Sequence, residues 1–222
     1  LVNETLAGLL QVLALVVLLA VVHVPLGDYM TRVFTTEEHW RVEALVYRVV
    51  RVDPASGQRF PTYAAGVLGF SFFSVVLLYL LQRLQPLLPM AGFTVQNVMS
   101  AAVGLAVAVA LIRGILGDRT ERLGNFWVDL TRAAVRILLP LSFVAAILLV
   151  AGGVVMSLKS GFDVTNVDGT PYTIPLAPAG SQEAIKELGT NGGGIFNANS
   201  AHPFENPNAL TNLFEIFLLL VG

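Results

Sequence analysis

The sequence contains no cysteine, so disulfides and thiolate metal sites are excluded. It is also poor in charge: 13% of its 222 residues are Asp, Glu, Lys or Arg, against roughly 25% in soluble domains. Only Lys159 and Lys186 are lysines. A net charge of −2 leaves no basic footprint, which speaks against nucleic acid as a partner. There is no Ser/His/Asp arrangement and no set of three or four metal ligands, so a soluble-enzyme reading finds no residues to carry it. The sequence begins with Leu1 rather than Met and ends inside an apolar run, and we read it as a fragment.

What is present is apolar sequence. Hydrophobic residues make up 55% of the chain, mean hydropathy is +0.72, and the apolar residues fall in long runs. A spanning helix needs about 20 mostly apolar residues. Four runs qualify: 6–26, 63–81, 93–112 and 133–156. A fifth helix begins at 209. Pro140 predicts a kink in the fourth span. Gly104 and Ala108, four apart in the third, predict a close helix contact. Within 27–62, Trp40, Val42, Leu45, Val46 and Val49 recur at helical spacing. This predicts a short amphipathic helix, lying on the membrane surface or solvated. The fold class expected is an all-α polytopic membrane protein.

The arginines set the expected orientation. Arg32, Arg41, Arg48, Arg51 and Arg59 lie between the first and second spans; Arg113, Arg119, Arg122, Arg132 and Arg136 lie between or beside the third and fourth. Cytoplasmic loops collect such cations. Segments 27–62 and 113–132 are therefore expected inside, and the N-terminus and 157–208 outside.

In that outer segment stands GTNGGGIFNANSAHPFEN, residues 189–206. A Walker loop needs a lysine after its glycines, and none follows Gly192, Gly193 or Gly194. A dinucleotide loop needs a third glycine where Asn197 stands. His202 and Glu205 would supply two metal ligands where three or four are needed. A different chemistry fits better. SQEAIKEL, 181–188, reads as a helix capped by Ser181, with Glu183 in its first turn and Gly189 as its stop. It is too short to span. Non-helical backbone after such a helix, rich in glycine, can line up carbonyl oxygens that replace the hydration shell of a monovalent cation. On pattern alone, this pore-loop reading and a plain Gly/Asn-rich outer loop both stand.

KELGTNGGGIFNANSAHPFENPNALTN resembles the second pore loop of the potassium-binding A subunit of Kdp-type potassium-transporting ATPases of bacteria. MAGFTVQNVMSAA (90–102), LGNFWVDL (123–130) and VDGTPYTIPLAPAGSQEAIK (167–186) resemble the same family, and the similarity covers essentially the whole chain. The resemblance implies an extra first helix, 1–26, followed by helix–pore loop–helix repeats. The first repeat would be 63–112 and the second 133–222, with pore helix 181–188. It implies a filter of Thr190, Asn191, Gly192, Gly193 and Gly194 binding potassium through backbone carbonyls, and an ion exit beside Gln96. It implies no nucleotide on this chain and no catalysis by it, and indeed there is no Asp-Lys-Thr-Gly-Thr motif. Its partners would be the P-type ATPase B subunit, the C subunit, the small F subunit and lipid of the bacterial inner membrane. The sequence departs from the family pattern at the 89/90 junction, where the first pore loop is missing, and it lacks the third and fourth repeats. A non-conducting scaffold that only docks partner subunits is therefore the alternative.

Overall fold

The structure, a computed structural model, describes residues 4–84, 91–117 and 121–222. The 89/90 junction lies outside the described residues. Among the described residues, four helices are long and apolar enough to cross a membrane: α1 (Glu4–Thr35), α3 (Phe60–Arg83), α4 (Ala91–Leu116) and a composite helix over Phe126–Ala151. The last consists of α5 (Phe126–Arg132), a π-helical turn (Ala133–Leu138) and α6 (Leu139–Ala151). The remaining elements are α2 (Arg41–Val50), a hairpin of β1 (Gly161–Thr165) and β2 (Pro171–Pro175), α7 (Ala179–Leu188) and α8 (Ala209–Val221). This is a mostly helical, multi-pass membrane architecture. The described residues form two compact units, Val24–Pro140 and Leu1–His23 with Leu141–Gly222.

In the unit Val24–Pro140, α4 packs on α5 and the π turn, α3 packs on α4, and α2 packs on α5. The small-residue contact falls on another face than expected. Gly104 and Ala108 are exposed, and the buried line is Ala102, Ala106 and Ala110. Both sets have four-residue spacing, but an offset of two residues is about half a helical turn. Phe126 is fully buried against Gly66, where a Cβ would fall 2.9 Å from its ring, and it meets Tyr63 edge-on. The LGNFWVDL stretch is a structural knot. Asn125 caps α5 by accepting from the Trp127 amide at 3.1 Å, and it donates to the carbonyls of Asp53 and Ser56. Asp129 accepts from Arg113 at 2.7 Å and from the Tyr63 hydroxyl at 3.1 Å.

Pro140 acts through the turn before it. A proline has no amide to give to the carbonyl four residues back. That carbonyl belongs to Arg136, and the Tyr29 hydroxyl donates to it at 2.5 Å. The helix widens here into the π turn instead of simply kinking, in keeping with how single π turns interrupt α-helices.

Helix α1 continues through Pro25 and Gly27 to Thr35, beyond the apolar run. Three arginines bind the carbonyls at and after its end: Arg113 that of Phe34, Arg132 that of Thr36 and Arg136 that of Glu38. Cations are favourable at a helix C-terminus, where carbonyls lack partners. The side chain of Arg136 also forms a double hydrogen bond with Glu43 and lies 4.7 Å from the centre of the Trp40 ring. Glu43 accepts from the Trp40 amide as well, at 2.9 Å, so it caps α2 while pairing with Arg136. Val42, Leu45 and Val49 form the exposed stripe of α2, and Glu43 and Tyr47 its buried face.

The hairpin in the other unit is absent from the sequence expectation. Its signal is the alternation on either side of NVDG. Gly169 takes φ +84° in the turn, and Asp168 accepts from both the amide and the hydroxyl of Thr170.

Two measurements check the α2 clamp. Glu43→Ala strands the Arg136 guanidinium, and we expect it to cost roughly 3–5 kcal/mol in thermal unfolding in detergent. Burial, with the Glu43 charge adding to it, pushes the Tyr47 phenol up to about 12. A raised native pKa means that stability is intact below the unfolded value of about 10 and falls as pH rises from there. Tyr47→Phe should flatten the loss of stability between about pH 10 and pH 12.

Candidate functional site

The site is built on α7. The helix starts at Ala179, earlier than the sequence suggests, because the Gly180 amide finds the Val155 carbonyl at 2.9 Å. Ser181 is therefore inside the first turn. It donates to the Pro178 carbonyl and caps nothing. Glu183 is not in the first turn either and owes its place to a side-chain network rather than the helix dipole. Gly180 permits a close approach, since a Cβ there would fall 2.6 Å from Val150. Most of α7 is buried, including Gln182, Glu183, Lys186 and Glu187.

The network centres on the Lys186 ammonium, which is 1% exposed. It lies 2.6 Å from Glu183 Oε2 and 3.3 Å from Glu187 Oε1, and it donates to the Ser200 hydroxyl. Ser200 Oγ is 2.6 Å from Glu183 Oε2 and 2.8 Å from Glu187 Oε1. Its one proton serves one carboxylate at a time. Lys186 thus joins the short helix to the chain returning after the glycine run.

The end of α7 differs from expectation. Gly189 is the last cap residue but has φ −80°, which any residue adopts. The left-handed residue is Thr190, φ 51°. The Thr190 amide bonds the Glu187 carbonyl, and the Asn191 amide bonds that of Lys186 at 3.1 Å. This is the paired pattern of a Schellman stop, with a β-branched residue where glycine is usual. Such a residue at positive φ is strained, and strain of this kind persists only where the surroundings impose it.

Residues 191–194 follow without regular structure. Gly193 has φ +97°, and its amide donates to Asn199 Oδ1 at 2.5 Å. Gly194 lies against Glu205, where a Cβ would come 2.7 Å from Oε1. Gly192 has room for one, its nearest neighbour being Asn199 at 3.5 Å. The Gly189 carbonyl accepts from Asn191 and that of Gly194 from Asn197. Among the described residues, those of Thr190, Gly192 and Gly193 accept no hydrogen bond. The return limb carries three more left-handed residues, Asn197, Asn199 and Ser200. Buried Glu205 accepts from the Phe196 amide at 3.4 Å. His202 stacks on Phe196 at 4.2 Å and accepts from the Phe204 amide, so His202 and Glu205 have separate structural tasks. Asn208 then caps α8 by accepting from Leu210 and Thr211, and it donates to the Gly152 carbonyl at 2.7 Å.

Thr190, Asn191, Gly192, Gly193 and Gly194 thus form one continuous irregular segment, left-handed at Thr190 and at positive φ again at Gly193. Gln96 belongs to the other unit. There it lines a mostly apolar cavity of about 570 Å³ with Phe70, Leu77, Leu78, Leu81 and Met99. The sequence reading missed Lys186, Glu187, Asn199, Ser200 and Glu215 as parts of the site. One signal was available: charges at 183, 186 and 187, spaced to meet on one helix face in a chain otherwise short of charge.

Lys186→Met should lower stability by roughly 3–5 kcal/mol, because it leaves buried carboxylates without their cation. Thr190→Gly should raise it by about 1 kcal/mol by relieving the left-handed strain. Thermal unfolding of the two variants in detergent checks both signs.

A family model described as the potassium-transporting ATPase A subunit matches residues 13–92 and 89–222. The potassium-transporting ATPase potassium-binding subunit of Kineococcus radiotolerans is 49% identical over 255 residues, covering 97% of this chain and 46% of that protein. The subunit of the same name from Nocardia farcinica is 47% identical over 260 residues, 99% of this chain and 46% of its own length. That of Rhodococcus opacus is 48% identical over 260 residues, with the same coverage. The chain spans about half the length of the curated relatives it matches. The aligned stretches also exceed its 222 residues, so the relatives hold residues within them that have no counterpart here. With the family model matching from residue 13 to residue 222, the chain belongs to the potassium-transporting ATPase A subunit family.

Proposed function

We propose that residues 190–194 are one segment of a potassium selectivity filter, in a subunit that takes potassium from the outer face and passes it to a P-type ATPase subunit. The observation that carries this is the irregular run Thr190–Gly194, whose carbonyls at 190, 192 and 193 accept no hydrogen bond among the described residues. Carbonyl oxygens held this way suit a partly dehydrated monovalent cation, because they attract it without binding it too tightly to leave. The relatives' names supply the ion and the ATPase. In this reading the chain hydrolyses nothing, the nucleotide stays on the B subunit, and the C and F subunits complete the complex. The N-terminus is outside a bacterial inner membrane, and the 27–62 loop, with its amphipathic helix, is inside beside lipid. Gln96 marks the ion's exit path, as the one amide side chain, beside Ser71, Ser74 and Ser100, among the mostly apolar residues that line its cavity.

A second reading has its own observation. The family match comes in two segments that meet at 89–92, and the relatives are longer within the aligned stretch. That pattern suits a chain without the first pore loop, and such a chain would dock partner subunits without conducting. One filter segment is a quarter of a four-loop pore.

The experiment is potassium-stimulated ATPase activity of the reconstituted complex with substitutions in this chain. Gly193→Ala, at φ +97°, should weaken apparent potassium affinity about tenfold or more, equivalent to roughly 1.4 kcal/mol. Gly192→Ala, where a Cβ has space, should change it far less, while Gly192→Asp should abolish selectivity by placing a charge there. Gln96→Leu should slow turnover and leave affinity intact. Equal potassium affinity in the Gly193→Ala and unaltered complexes would sink the filter assignment. Lack of potassium stimulation in the unaltered complex would favour the scaffold.

A further inference from the structure

Three carboxylates meet inside the unit that carries the glycine run. One oxygen each of Glu183, Glu187 and Glu215 lies within 4.8 Å of the other two. Glu183 and Glu187 are one turn apart on α7, and Glu215 reaches them from α8. All three are buried, and Glu205, also buried, adds its charge to the same neighbourhood. Among the described residues, one cation, Lys186, stands against these four carboxylates, and it is already engaged with Glu183, Glu187 and Ser200. Oxygens are left over. Glu183 Oε1, Glu205 Oε2 and Glu215 Oε1 are buried without a hydrogen-bond partner. Glu215 is the telling case. It comes from a separate helix, is 4% exposed, and directs a partnerless carboxylate oxygen at the α7 pair. Nothing about the carbonyls of 190–194 accounts for it.

We propose that Glu183, Glu187 and Glu215 bind one hard divalent cation of the Ca²⁺ class, at a site beside the glycine run rather than within it. The donor set is all carboxylate oxygen, which suits hard cations over soft ones. Oxygens within 4.8 Å of one another leave a point about 2.8 Å or less from all three, close to the roughly 2.3–2.6 Å of calcium coordination. Magnesium needs about 2.0–2.1 Å and near-ideal octahedral ligands, a stricter demand than calcium's flexible coordination by carboxylates from two helices. Charge points the same way. Fully ionised, the four carboxylates would exceed Lys186 by three charges; burial and mutual repulsion oppose that ionisation until a cation binds, and a divalent ion offsets more of it than a monovalent one. Bound there, the ion ties α7 to α8, the helices before and after the glycine run, and so fixes the ends of that run.

The test is equilibrium dialysis of the full chain in detergent with radiolabelled calcium, in a buffer rich in potassium, with E215Q as the comparison. The amide keeps the shape of the side chain and removes its charge. We expect saturable binding of about one calcium per chain in the unaltered protein, weakened roughly tenfold or more in E215Q. Calcium should also raise the thermal unfolding midpoint of the unaltered chain and leave that of E215Q unmoved. The proposal is overturned by the absence of saturable calcium binding in the unaltered chain, a result that holds whether or not E215Q folds. It is equally overturned by undiminished binding in a folded E215Q. The filter reading is tested separately by the ATPase titration, so either idea can fail alone.

Discussion

The Lys186 ammonium is the interaction on which the glycine run depends. Residues 189–200 have little regular structure to hold them, and a backbone without a helical or strand ladder needs other partners. Lys186 reaches from α7 to Ser200 at the far end of that run, while Glu183 and Glu187 hold the ammonium in place. Between these anchors, Asn199 takes the Gly193 amide and Glu205 takes that of Phe196. Strain at Thr190, Asn197, Asn199 and Ser200 is tolerable because both ends are tied. Burying so many charges is expensive, and the return is a fixed course for a segment that could not fix itself.

The unit Val24–Pro140 solves a similar problem with arginine. A guanidinium offers five donors in a plane, so one side chain can satisfy a carboxylate and a carbonyl together. Arg136 does so with Glu43 and the Glu38 carbonyl, and Arg113 with Asp129 and the Phe34 carbonyl. The arginines that argue for the side of the membrane on which these loops lie are thus also the clamps that fold them. Lysine, with three donors on a point charge, suits the tighter meeting of two carboxylates and a hydroxyl at 186.

The spans were legible because a bilayer core has no water, so hydropathy and length alone nearly determine where helices cross. Helix ends were not. Nothing in the apolar run 6–26 says that α1 continues to Thr35, since its last turns are held by arginines far along the chain. Four-residue spacing identified small residues but not the buried face, which went to Ala102, Ala106 and Ala110. The cap at Ser181 and the stop at Gly189 followed local preference, and tertiary partners overrode both: the Val155 carbonyl at the start, and the Schellman bonds with Thr190 at the end. The order of short helix, irregular run and apolar helix was visible from composition. The meeting of 183, 186 and 187 with 200, 205 and 215 was not, because only folding brings those positions together.

One division of labour follows. In the proposed filter, an ion in transit must be attracted and then released, which neutral carbonyl dipoles allow and bare carboxylates hinder. In this unit the charged groups stand beside the run, with Lys186 among them, and the run itself presents backbone. Glu205, which lies against the run, is turned to the Phe196 amide and comes close to Gly194 because that residue has no Cβ. A larger residue at 194 would push Glu205 away and release Phe196, so this glycine is required by its neighbour behind the run, whereas Gly193 is required by its own φ of +97°. Three successive glycines that look equivalent in the sequence thus answer to different constraints, and Gly192 is the one with room to change.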